Sequence, residues 1–232
     1  MNWIEPSRSC ESIEVSDPNS PAGEAICKAL VIGGVVKRFP TLKFAFMEGG
    51  VGWACSLYND LIEHWEKRNI KAMRENLDPA KLDRAALAEL FLKHGGEFAD
   101  KRIDSLANNP APEDPADLDE WSSLPITSPH EFADFFANFF FGCESDDRMT
   151  AVAFNPKLNH YGAKMQALFG SDVGHFDVPD ISAVVATAYE LVEEGLLTED
   201  DFRDLTFGNA AKLHAGMNAD FFKGTIIESA IH

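Results

Sequence analysis

The chain has 232 residues, of which 45% are hydrophobic and 11% aromatic, and this composition is typical of a globular domain with a sizeable core. Its formal net charge of −18 and sequence pI of about 4.6 argue against a nucleic-acid partner, because phosphate groups are bound by clustered lysine and arginine. No apolar run reaches transmembrane length, and residues 1–6 lack the features of a secretory signal, so we expect no membrane partner.

The four cysteines, Cys10, Cys27, Cys55 and Cys143, are far apart in the sequence and form no C-x-x-C pair. Cys27 and Cys55 fall within apolar helical patterns, and Cys143 follows an aromatic run. These positions favour reduced, buried thiols in a cytoplasmic protein.

The amino-terminal region predicts one helix and one βα unit. Residues 1–20 show no hydrophobic period, and we interpret them as an irregular arm. An apolar stripe then predicts a helix from Pro21 to about Val31. Residues 42–47 form the first predicted strand, which Glu48-Gly49-Gly50 interrupts before a helix that starts near Val51.

Residues 66–130 are predicted to form a helical and proline-rich acidic insertion. Asp78-Pro79 is typical of a helix start, and Gly95-Gly96 of a helix end. Residues 108–125 contain many prolines and acids, which indicates a surface loop that covers or borders a site.

The carboxyl-terminal half predicts two more strands. Residues 139–141 form the second, which leads into an acidic stretch at 144–147, and residues 166–171 form the third, which ends at Asp172. Amphipathic helices are predicted over 181–192, after Thr198 and over 209–213. This alternation of strands and helices predicts an α/β fold with a parallel sheet.

Acidic side chains follow all three predicted strands: Glu48, the group Glu144, Asp146 and Asp147, and Asp172, with His175 just beyond. Because the carboxyl ends of parallel strands lie at one edge of a sheet, we expect these groups to converge. Converging carboxylates with an imidazole suit a divalent metal and proton transfer.

Each candidate also has a structural interpretation. Asp172 is equally typical of a turn or helix cap, and Glu48 of a solvated loop. His175 is more often a structural hydrogen bonder than a ligand, and the acids at 144–147 are typical of a solvated turn.

The order of several short segments resembles a known family. One segment resembles a stretch of amidohydrolase-related proteins, the branch that includes aminocarboxymuconate-semialdehyde decarboxylase. The matching residues are Gly33-Gly34-Val35, Arg38-Phe39-Pro40, Leu42 and Gly49-Gly50. Residues 168–172 are similar to the last barrel strand of that family. Residues 209–213 are similar to its terminal helix. The resemblance runs from about residue 21 to the end of the chain.

The resemblance implies the last three strands of a (β/α)8 barrel over residues 21–232. It implies a metal-dependent hydrolase or decarboxylase that acts on a small organic substrate with zinc or manganese. Asp172 would be a metal ligand and a catalytic proton-transfer group, and Glu48 and His175 would line the site. At the position of Glu48, many relatives have a histidine that contacts substrate.

The family's H-x-H motif and a further histidine would lie upstream of residue 21, but residues 1–20 contain no histidine. One carboxylate does not make a catalytic zinc site, which normally takes three protein ligands. We therefore expect one of two situations. Either the missing half of an enzyme lies on another segment or chain, or the chain is a truncated, non-catalytic remnant of the fold.

The open sheet edges would favour self-association into a homo-oligomer. A third interpretation is an open α/β binding module that is unrelated to metals and has its ligand site at the same edge.

Overall fold

The computed structural model describes residues 19–99, 115–176 and 178–231. Cys10, nearly all of the predicted irregular arm and part of the predicted acidic loop lie outside these residues. The chain divides into two compact units. Unit 1 contains Met1–Ile62 and Ile126–His232, and unit 2 contains Glu63–Pro125.

The sheet of unit 1 has three parallel strands, β1 (Phe44–Phe46), β2 (Phe139–Cys143) and β3 (Gln166–Phe169), in the order β1-β2-β3. Phe44 pairs with Phe139, and Phe141 pairs with Ala167. The prediction of an α/β fold with three parallel strands is confirmed, although β1 and β3 are shorter than the sequence suggested.

The helices are mostly short. In chain order they are α1 (Asn19–Ile32), α2 (Val35–Arg38), α3 (Gly52–Arg68), α4 (Ile70–Ala72), α5 (Arg84–His94), α6 (Glu131–Phe136), α7 (Thr150–Phe154), α8 (Val184–Glu193), α9 (Glu199–Arg203), α10 (Asn209–Met217) and α11 (Glu228–Ile231). Single π-helical turns occupy Met73–Leu77 and Asp204–Gly208, and 3-10 turns occupy Pro79–Lys81, Gly96–Phe98, Pro115–Leu118 and His160–Gly162. No described helix is both long enough and apolar enough to cross a membrane.

The core of unit 1 is built on β2, all of whose residues are buried. The rings of Phe46 and Phe141 are stacked with centroids 5.8 Å apart, and Trp53 of α3 packs edge-on against both. Such aromatic contacts bury large apolar areas. They fix the first strand and the following helix against the centre of the sheet.

The outer edge of β3 is closed by a side chain. Asn209, at the start of α10, is 2% exposed, and its Nδ2 donates a hydrogen bond of 2.8 Å to the carbonyl of Ala167. Because unpaired backbone groups at a buried edge are costly, this contact stabilises the edge. This hydrogen bond gives a structural role to Asn209, the first residue of the helix predicted at 209–213.

One predicted helix start needs correction. Asp78 caps only the turn at Pro79–Lys81, whereas Asp83 caps α5 by accepting a hydrogen bond from the Ala86 amide. The predicted end at Gly95-Gly96 is confirmed. In unit 1, the predicted start at Thr198 is confirmed by a complete capping box with Asp201.

Candidate functional site

Glu48 and Asp172 lie at the same edge of the sheet, beyond the carboxyl ends of β1 and β3. A Cβ atom on Gly142 of β2 would lie 3.2 Å from the Glu48 amide nitrogen. On the other side, the Gly170 amide donates a 2.7 Å hydrogen bond to the Cys143 carbonyl, close to Asp172. The two acids therefore flank the end of β2, and the strands that they follow are roughly 10 Å apart, which is two strand spacings.

Both acids have an unusual backbone conformation. Among the described residues, only three non-glycine residues have positive φ: Glu48 at 58°, Asp172 at 47° and Tyr161 at 59°. Left-handed backbone is unfavourable for residues with a Cβ atom, less so for aspartate than for glutamate. Such strain is concentrated at functional sites in proteins, so its occurrence at two predicted site residues supports a role for this edge.

A cavity of about 330 Å³ opens between the ends of β2 and β3 and the start of α8. Its volume is within the range of small-molecule sites. Carboxylates line it on several sides, from Glu144, Asp146, Asp172 and Asp180. Val178, Pro179, Ala183 and Val184 provide an apolar wall. The cavity thus combines an apolar surface with several proton acceptors.

The acids after β2 have divided roles. Glu144 and Asp146 line the cavity. Asp147 instead forms a turn, in which its Oδ1 accepts a 2.8 Å hydrogen bond from the Met149 amide. Burial raises the pKa of Asp147, and the negative charge of Asp146 acts in the same direction. The interpretation of this stretch as a turn therefore fits Asp147 best.

His175 lies beside Asp172 but does not line the cavity. Its Nδ1 is 3.8 Å from Asp172 Oδ2, which is beyond hydrogen-bonding distance, and its side chain is 56% exposed. The His175 amide donates a 3.0 Å hydrogen bond to the Asp172 carbonyl and closes a tight turn. The backbone thus holds the imidazole near the carboxylate.

Asp180 is a cavity residue that the sequence analysis missed. Its Oδ1 accepts hydrogen bonds from the amide and hydroxyl of Ser182, and these bonds lower the pKa of Asp180. The segment Pro179-Asp180-Ile181-Ser182 has the pattern of an aspartate turn before a helix. That signal indicates a turn but not which cavity the turn borders.

The metal expectation can be tested against the available donors. Among residues 19–99, 115–176 and 178–231, no group of three or more histidine, cysteine, aspartate or glutamate side chains could hold a metal ion. A catalytic zinc normally takes three protein ligands. The described residues therefore do not fit a complete metal centre, in which Asp172 would supply one ligand.

Comparisons with protein-family models, with curated proteins and with solved structures find no match to this chain.

Proposed function

We propose that this chain belongs to a hydrolase or decarboxylase of the amidohydrolase type and contains the last three strands of its (β/α)8 barrel. The resemblance of residues 33–53, 168–172 and 209–213 motivates the proposal. The parallel order β1-β2-β3 is compatible with it. The observation that carries it is the position of Asp172, strained, 24% exposed at its side chain and facing a cavity of ligand size.

In this proposal Asp172 transfers a proton. A carboxylate at a cavity wall accepts a proton from water or substrate and returns it to the leaving group. Glu48 accepts hydrogen bonds at the end of β1, on the other side of β2, and the His175 imidazole lies beside Asp172, with Nδ1 3.8 Å from Oδ2. The substrate is a small organic molecule, because the cavity holds nothing larger.

The resemblance also implies zinc or manganese. Since the described residues do not supply a complete ligand set, no step of this proposal depends on the metal. The same observation favours the second candidate, a non-catalytic remnant of the fold. We further propose a cytoplasmic location, which the free, buried thiols of Cys27, Cys55 and Cys143 support.

An activity screen with one substitution tests the proposal. Purified chain is assayed for hydrolysis of small esters and amides and for carbon dioxide release from small carboxylic acids, with and without added zinc or manganese. We expect turnover that falls by about 100-fold or more in Asp172→Asn, the loss typical of a missing acid–base group. Asparagine tolerates positive φ as aspartate does, so the variant should fold.

Asp60→Asn is the matched control, because Asp60 is an exposed residue of α3 that does not line the cavity. Its activity should equal that of the wild type. Equal activity of Asp172→Asn and wild type would contradict the enzymatic proposal. Absence of turnover and of bound metal in all three proteins would favour the remnant.

A further inference from the structure

The first strand of the sheet has an open edge. The Phe44 amide donates a 3.0 Å hydrogen bond to the Asn138 carbonyl, and Phe44 and Phe46 are in register with Phe139 and Phe141 of β2. In a parallel ladder, alternate residues direct their amide and carbonyl groups to the same neighbour. The amide and carbonyl of Ala45 therefore point away from β2.

Nothing in the described part of the chain pairs with this side of β1. The sheet order places β1 at the end, with β2 as its single strand neighbour among these residues. Ala45 is exposed, and the flanking side chains of Leu42 and Met47 are 44% and 54% exposed. The opposite edge of the sheet differs, because Asn209 closes it. An open edge with apolar flanks is a template for strand addition.

We propose that this edge pairs with the same edge of a second copy of the chain. The two β1 strands run antiparallel about a two-fold axis beside Ala45, so that each Ala45 amide donates to the Ala45 carbonyl of the other copy. This is the hydrogen-bonded pair of an antiparallel ladder, and the interface is isologous. The product is a continuous six-stranded sheet.

The charge pattern along β1 is self-complementary in this arrangement. Lys43 immediately precedes the amino end of β1. Glu48 follows the carboxyl end of the strand, where Asp147 also lies close to Gly50. Antiparallel pairing brings the basic end of each strand to the acidic end of the other. Parallel addition would place like charges side by side, which disfavours it.

Sedimentation velocity tests the pairing over protein concentrations from about 1 to about 100 µM. We expect the wild-type chain to form dimers that weaken as salt rises, since exposed charges are screened. Ala45→Pro removes the outward amide without touching the β1–β2 ladder, and edge strands accept proline. Ala45→Glu places two negative charges opposite each other. Each variant should weaken the dimer by at least about tenfold.

Ala45→Thr is the control, because it keeps the amide and suits a strand. It should dimerise like the wild type. Hydrogen exchange provides a second measurement: protection of the Ala45 amide should rise with protein concentration. A wild-type chain that stays monomeric, or variants that dimerise as strongly as it does, would overturn the proposal. Strong protection of the Ala45 amide at both low and high concentration would also overturn it, because another part of the same chain would then cover the edge.

Discussion

Two residues show how conformation and chemistry coincide in this chain. Glu48 and Asp172 follow parallel strands, and both have left-handed backbone. The sequence predicts acids at strand ends, because apolar runs stop there. It does not predict the sign of φ, since glutamate rarely adopts a positive value and only the packing of the neighbouring strands imposes it.

Substitution of Glu48 measures the strain directly. We expect Glu48→Gly to be more stable than Glu48→Ala by about 1 kcal/mol, because glycine adopts positive φ without penalty. Both variants lose the same side-chain contacts, so their difference isolates the backbone. Urea unfolding gives the two free energies. At Glu24 within α1 the order should reverse, since glycine weakens a helix by about 1 kcal/mol relative to alanine.

Because three thiols are buried, we expect the free energy of unfolding to depend on pH in the alkaline range. Burial raises the pKa of Cys27, Cys55 and Cys143 from 9.0 to about 12. Between these values the unfolded thiols lose protons while the folded thiols keep them. The unfolded state then binds fewer protons, and the free energy of unfolding falls as pH rises.

We therefore expect the free energy of unfolding to decline from about pH 9 upwards, with a shallower decline in Cys27→Ala, which has one such thiol fewer. Denaturant unfolding at several alkaline pH values measures both slopes. Identical slopes for the variant and the wild type would show that Cys27 is not buried as described.

At the scale of the element, the sequence predicts those strands and turns that depend on neighbouring residues alone. Residues 139–141 are predictable as a strand because a buried central strand is continuously apolar. Asp78 and Asp83 both accept hydrogen bonds from amides two or three residues later, so the local signal does not distinguish a single turn from a helix. The role of Asn209 could not be predicted, because its partner Ala167 lies 42 residues away.

Removal of the Asn209 side chain tests its role at the edge of β3. Asn209→Ala should lower the free energy of unfolding by about 1–3 kcal/mol, because the Ala167 carbonyl loses its partner in a buried setting. Lys212→Ala is the control: Lys212 Nζ donates to Asn209 Oδ1 over 3.3 Å, but its side chain is 57% exposed. The control should change stability by less than about 1 kcal/mol. Equal losses in both variants would contradict the assigned role.

At the scale of the whole molecule, the sheet topology determines which side chains lie at the candidate site. Parallel order brings the ends of β1, β2 and β3 to one edge, where the cavity opens. The α/β pattern of the sequence predicts this meeting of strand ends. It did not predict that Glu48 lies outside the cavity lining while Asp180 is part of it, because loop paths after strands depend on packing rather than on local sequence.

The most direct test of the proposed function is to locate a bound small molecule. The crystal structure of the chain with the best substrate, or an inert analogue, from the activity screen would show where it lies. We expect a ligand in the acidic cavity, with a polar atom within about 3 Å of an Asp172 carboxylate oxygen. A ligand bound at the cavity between the π-helical turn Asp204–Gly208 and α11, with the carboxyl edge of the sheet empty, would contradict it.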